Sequence, residues 1–110
     1  MPYFHVTSSL NRASIEEHGL DWSRMGAARG IAGSYEPEQE GCFVCENEDD
    51  ADWFVRMNNT GGTVDVWQVD GVSRSELVQS PENYFYVPRR VPRSDLRLVR
   101  RDIPPKPSRW

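Results

Sequence analysis

The segment Thr63–Val69 constrains the fold most. Val64, Val66 and Gln68 alternate with Thr63, Asp65, Trp67 and Val69, the period-2 pattern of a β-strand whose two faces meet different surroundings. Asn58–Gly62 before it and Asp70-Gly71 after it hold residues that tolerate positive φ, so turns bound the run on both sides. A strand of this kind is expected at the centre of an antiparallel sheet.

The remaining elements arrange themselves around it. Tyr3–Val6 reads as a first strand, with Phe4 and Val6 on one face and Tyr3 and His5 on the other. Thr7, Ser8 and Ser9 supply hydroxyls to cap a helix over Leu10–His18, with Ala13 and Ile15 among its buried positions. Gly19 ends that helix, and Leu20 and Trp22 return to the core. From Ser23 to Glu40 no period is evident, and Gly26, Gly30 and Gly33 scattered among Arg24, Arg29 and Tyr35 read as a loop. Gly41–Cys45 is a short apolar strand. The acidic run Glu46–Asp50 suits the first turn of a helix continuing to Met57, with Ala51, Phe54 and Val55 inward. Ser73–Pro81 reads as a second loop. Tyr84–Val87 is an aromatic strand stopped by Pro88, which has no N–H to give a ladder, and Leu96, Leu98 and Val99 suggest one more. The proline-containing segment Asp102–Trp110 reads as an extended tail, leaving a single domain over residues 1–101. The order of elements indicates an α+β fold, a small and mainly antiparallel sheet with flanking helices.

At 110 residues the chain is long enough for one modest core. Its net charge of -4 does not mark a nucleic-acid binder, although a nucleic-acid acceptor stays open. The charge is uneven: Glu36–Asp52 is acidic and Arg89–Arg109 basic, so the basic end either meets a phosphate-bearing ligand or pairs with the acidic middle. No apolar run approaches the length of a membrane span and no signal-peptide pattern opens the chain, so a cytoplasmic location without a membrane partner is expected. Cys42 and Cys45 supply half of a four-thiolate zinc site and no second pair exists; two buried thiols in a strand, and no metal site, are expected.

One carboxylate stands out. Glu82 lies at the mouth of the aromatic strand, where a rigid element holds a side chain that remains open to a ligand. Together with His5 and the segment around Phe43 and Phe54, it carries a resemblance spread over most of the chain. Tyr3–Thr7, Ala13–Leu20 with its closing Gly-Leu, Gly41–Val44 followed by Ala51 and Phe54, and Glu82–Leu96 occur in the order found in the ADP-ribosyltransferase fold. Within that fold the chain resembles the His-Tyr-Glu branch of poly-ADP-ribose polymerases, rifampin-inactivating transferases and DNA-modifying toxin transferases. The resemblance implies an NAD-dependent transferase, toxin-like in size, with NAD as substrate and a small molecule, nucleic acid or protein as acceptor. A cognate antitoxin or protein partner fits the same picture.

By that resemblance, Glu82 is the catalytic carboxylate that holds a ribose hydroxyl and stabilises the oxocarbenium-like centre. His5 orients a ribose hydroxyl of NAD, with Thr7 beside it. Phe54, with Phe43 or Tyr35, stacks on nicotinamide, and Arg24 or Arg29 meets the phosphates. Phe43 and Phe54 stand where the family carries tyrosine, so stacking survives without the hydroxyl. Ser80 stands where arginine-modifying members carry glutamate, which argues against arginine as acceptor. Two alternatives share the fold: a catalytically silent binding module, favoured by the missing hydroxyls, and an RNA 2′-phosphotransferase-like enzyme, for which Arg12, Arg24 and Arg29 are the available cations. His5, Phe54 and Glu82 are expected to line one cleft.

Overall fold

The computed structural model describes residues 2–21, 42–57, 62–79 and 85–105. Strand β1 (Tyr3–Ser8) leads through a 3-10 turn (Ser9–Asn11) into helix α1 (Arg12–His18). Strand β2 (Cys42–Val44), helix α2 (Glu48–Arg56) and strand β3 (Val64–Val69) follow, then the short strands β4 (Val78–Gln79) and β5 (Phe85–Val87) and the long β6 (Leu96–Ile103). The strands form two three-stranded antiparallel sheets, ordered β1-β3-β6 and β2-β5-β4. The α+β class and the antiparallel pairing follow the sequence reading. The single sheet divides into two, because β1 and β2 share only one ladder pair, Phe4 with Cys45. No helix among the described residues is long and apolar enough to cross a membrane.

β3 takes the central place in its sheet. Its register sets His5 opposite Trp67 and Thr7 opposite Asp65 on β1, and Leu98 opposite Trp67 on β6. Alternation along β1 and β3 divides the apolar side chains between two cores. Tyr3, Trp67 and Val69 join Ile15 and Leu20 from the α1 region, Cys42 and Val44 from β2, and Val87, Val91 and Leu96. On the other face Phe4 and Val66 meet Cys45 and Ala51, with Phe54 and Val55 of α2 packed against them. The two cysteines of the C-x-x-C therefore serve different cores as free, buried thiols. Burial, with the nearby Asp50 carboxylate adding to it, pushes the Cys45 thiol up to about 12.

Local chemistry accounts for the element ends. Ser8 closes β1 and its Oγ accepts from the Leu10 N–H at 3.2 Å, capping the 3-10 turn. Asn47 caps α2 by accepting from the Asp50 N–H at 2.8 Å, and Glu48, Asp49 and Asp50 fill the first turn, where the helix dipole favours negative charge. Gly19 ends α1 with φ 78°, and its N–H donates to the Ile15 carbonyl at 2.9 Å. A Cβ there would sit 2.3 Å from the Val91 carbonyl oxygen, since Leu20 and Val91 exchange backbone hydrogen bonds immediately beyond it.

Three expectations are corrected. Ala13 is exposed, because the inward positions of α1 are taken by Ile15 and by Arg12, whose guanidinium turns toward β3. The segment read as the Ser73–Pro81 loop contains a 3-10 turn (Arg74–Glu76) and β4. β6 carries Asp102 and Ile103 within the sheet, two residues past the boundary drawn for the tail. Leu20 is buried as expected, whereas Trp22 lies outside the described residues.

The turn of Arg12 identifies the polar centre of the fold. Asp65 has no exposed surface. Arg12 donates to it twice, Nε to Oδ2 at 2.8 Å and Nη2 to Oδ1 at 2.7 Å. Ser9 Oγ donates at 2.8 Å and the Asp102 N–H at 2.9 Å. Burial works against the charge, but these hydrogen bonds outweigh it and hold the carboxyl below its ordinary range. Removing that charge leaves Arg12 poorly compensated. Asp65→Asn is expected to destabilise the fold by about 3 kcal/mol in urea unfolding; a loss below ~0.5 kcal/mol, the level of an exposed pair, would show the network to be peripheral. Gly19→Ala is expected to cost about 2 kcal/mol, from positive φ and the clash at Val91 together, read as a lowered thermal midpoint.

Candidate functional site

His5 sits in the middle of β1 at the point where β1 and β2 part. Phe4 and Cys45 exchange backbone hydrogen bonds, Phe4 N–H to the Cys45 carbonyl at 2.9 Å and the reverse at 2.6 Å. An antiparallel ladder would continue two residues along each strand, from Val6 to Phe43. Instead the His5 ring reaches across, and its Nδ1 meets the Phe43 carbonyl oxygen at 2.6 Å. A carbonyl only accepts, so Nδ1 carries the proton and Nε2 of the neutral ring keeps its lone pair. The residue is 7% exposed. Burial lowers the imidazole pKa, and the bond to Phe43 offsets this only in part. Nε2 is buried and finds no partner among the described residues.

Thr7, two residues along the same face, is buried and accepts from Asn11 Nδ2 at 2.9 Å. Phe43 is half-buried on β2, its ring edge-to-face with Tyr86 at a centroid distance of 6.1 Å, and Tyr86 is its register partner on β5. Phe54 sits on α2 beside Trp53, at 4.9 Å and edge-to-face. It helps line a cavity of about 220 Å³ with Val44, Cys45, Asp50 and Phe85.

His5 is thus brought to the Phe43 carbonyl but not to the Phe43 ring, because Cys42 and Val44 on either side of it face the core that holds Tyr3 and Trp67. Phe54 packs with Phe4 and Val66, also on the face of β1 opposite to His5. The expectation that His5 and Phe54 line one cleft is corrected, and the cause is the period of two along β1, which sends neighbouring side chains to opposite faces. Glu82, Arg24, Arg29 and Tyr35 lie outside the described residues. A larger concavity of about 500 Å³ lies at the end of β3, lined by Asp70, Gly71, Ser73 and Glu76; both of its carboxylates are engaged, Asp70 by Gln68 Nε2 at 3.2 Å and Glu76 by Arg89 at 2.7 Å and the Ser73 N–H at 2.8 Å. Arg12 is held by Asp65 and by Asp102 at 2.6 Å, which removes one of the three cations available to the phosphotransferase alternative.

Sequence reasoning gave Trp67 a place in the core or at its rim and no functional role. It is fully buried, directly opposite His5 on β3, and its Nε1–H also lacks a partner among the described residues. The signal was present in the alternation of Thr63–Val69, which puts Trp67 on one face with Asp65, but the register against β1 is a tertiary fact. Compared with known proteins, the chain matches no family model, no curated protein and no solved structure.

A ring kept neutral by burial couples stability to pH. The folded-state pKa of His5 lies below its unfolded value of about 6.5, so the unfolded state binds the proton first as pH falls. Stability is therefore expected to decline below about pH 6.5, with a slope of up to about 1.4 kcal/mol per pH unit from this group. In urea unfolding at pH 7.5, 6.5 and 5.5, His5→Gln should flatten that part of the profile. A wild-type protein that gains stability on acidification through this range would show that His5 is charged when folded.

Proposed function

We propose that the chain is an NAD-dependent ADP-ribosyltransferase, with His5 in the NAD site and Glu82 its catalytic carboxylate. The observation that carries this reading is the spatial order of three strands. β1, with His5, meets β2, with Phe43, at the Phe4–Cys45 pair, and β2 pairs along its length with β5, the strand that follows Glu82 in the chain. The segments that bear the resemblance are thus neighbours in space, although 38 residues separate His5 from Phe43.

The chemistry suits the residues. A neutral imidazole tethered through Nδ1 offers Nε2 to a ribose hydroxyl and fixes the sugar. As the bond between the ribose C1′ and nicotinamide breaks, its electron pair leaves with nicotinamide. The carboxylate of Glu82 stabilises the positive charge left on the sugar. An acceptor oxygen or nitrogen then bonds to C1′ and gives up its proton.

A second reading, a silent binding module of the same fold, is favoured by the enclosure of His5 and by the position of Phe54 across β1. Nicotinamide release from NAD separates the two. The wild-type protein is expected to release nicotinamide, and Glu82→Gln, which keeps size but removes charge, to lower the rate by about 100-fold or more. No release from either protein together with no NAD binding would exclude the transferase; binding without release would leave the silent module.

A further inference from the structure

Two buried polar atoms without partners among the described residues stand on one face of the first sheet: His5 Nε2 and Trp67 Nε1. Their residues are directly opposed in the β1–β3 register, where Cβ atoms of facing residues lie about 4.5–5.5 Å apart. The two atoms are chemically complementary. Nδ1 of His5 is committed as a donor to the Phe43 carbonyl, which leaves Nε2 an acceptor, whereas an indole N–H only donates. Neither can satisfy a second copy of itself, and both lack water contact through the surface. A buried donor or acceptor without a partner is costly, and here two occur at facing positions in a sheet whose fully buried carboxylate, Asp65, is satisfied on both oxygens.

A hydroxyl group answers both needs at once, since it donates one hydrogen bond and accepts another. Carbonyls and carboxylates only accept, and ammonium groups only donate, so neither class fits. The Trp67 ring is itself fixed: the Arg93 guanidinium lies 5.4 Å from its centroid, and Arg93 in turn binds Glu16 of α1 at 3.2 Å. The indole is therefore presented from a braced position.

We propose that His5 Nε2 and Trp67 Nε1–H together form an internal site for one hydroxyl oxygen, which donates to His5 and accepts from Trp67. The oxygen comes from a sequestered water or from an alcohol group of a ligand. The ligand form rests on the transferase reading, with a ribose hydroxyl of NAD as the group concerned, and makes Trp67 a second determinant of sugar recognition. The water form stands without it.

Nuclear magnetic resonance on the labelled full chain tests this. Trp67→Phe assigns the indole resonance, and all other measurements use the wild-type protein. The His5 ring nitrogens are expected to show Nδ1 protonated and Nε2 bare, and the Trp67 N–H to give a cross-peak to a long-lived water. If NAD abolishes that cross-peak and shifts the indole, the ligand hydroxyl takes the site, and Trp67→Phe should weaken NAD binding about 5- to 10-fold. If the cross-peak persists with NAD present, the site belongs to water, and the transferase reading is judged on nicotinamide release alone. A proton on Nε2, a direct bond between the two rings, or an indole that shows neither water nor response to NAD overturns the proposal.

Discussion

The buried carboxylate of Asp65 is the interaction on which the rest of the architecture depends. It lies on the central strand with no exposed surface, and its ligands come from three different places: Ser9 in the 3-10 turn, Arg12 at the start of α1, and the backbone of Asp102 on β6. A charge in that position requires partners on all open sides, so the helix start and the far strand are both fixed against β3. The ladder shows the consequence. Val66 faces Arg100 and Val64 faces Ile103, so one residue of β3 stands against two of β6. The extra residue forms a bulge in which Asp102 takes φ 55°, and this turn of the backbone directs its N–H to the carboxylate. With α1 held by its first residue at one end and by the Arg93–Glu16 pair near the other, the face bearing Tyr3, His5 and Trp67 is closed over.

Closing that face has a price in hydrogen bonding, and the junction between the sheets shows how part of it is met. Beyond the Phe4–Cys45 pair the strands diverge, and the imidazole of His5 takes the place of a backbone donor on the Phe43 carbonyl. A side chain in a ladder position does what an N–H would do on one side, and it adds a second nitrogen on the other. The same substitution that mends the sheet therefore creates a polar atom facing inward, beside the indole of Trp67. Structural and chemical roles for His5 are not alternatives here; the first fixes the tautomer that the second would use.

Much of the fold was legible because it rests on local patterns. The alternation of Thr63–Val69, the glycine after His18, and the acidic start of α2 each reflect chemistry within a few residues, and each element forms where expected. What escaped was set by distance along the chain. Ala13 reads as an inward residue until Arg12 is drawn to Asp65, 53 positions away. β4 has only two residues and exists because β5 offers it an edge. The alternation of Phe4 and His5 was readable, but which face α2 would cover was not, and that choice separates Phe54 from His5. The segregated charges behave likewise. Arg100 pairs with Asp52 of the acidic helix, while Arg93 reaches Glu16 and Arg89 reaches Glu76, so the basic end is shared among three elements instead of meeting one acidic stretch.

The state of His5 also limits what chemistry the site can perform. With its single ring proton held by the Phe43 carbonyl and burial opposing a second, the imidazole can accept a hydrogen bond but has no proton to hand to a leaving group. In the proposed transferase its part is to orient. Charge stabilisation must then come from elsewhere, and in the proposed transferase it falls to the carboxylate on the segment that leads into β5. Departure of nicotinamide suits such a division, because nicotinamide leaves as a neutral molecule and needs no proton, whereas the sugar left behind needs a negative charge close by. In the proposed transferase, a neutral, tethered histidine and a separate carboxylate would together suit glycosidic cleavage at a cationic nitrogen.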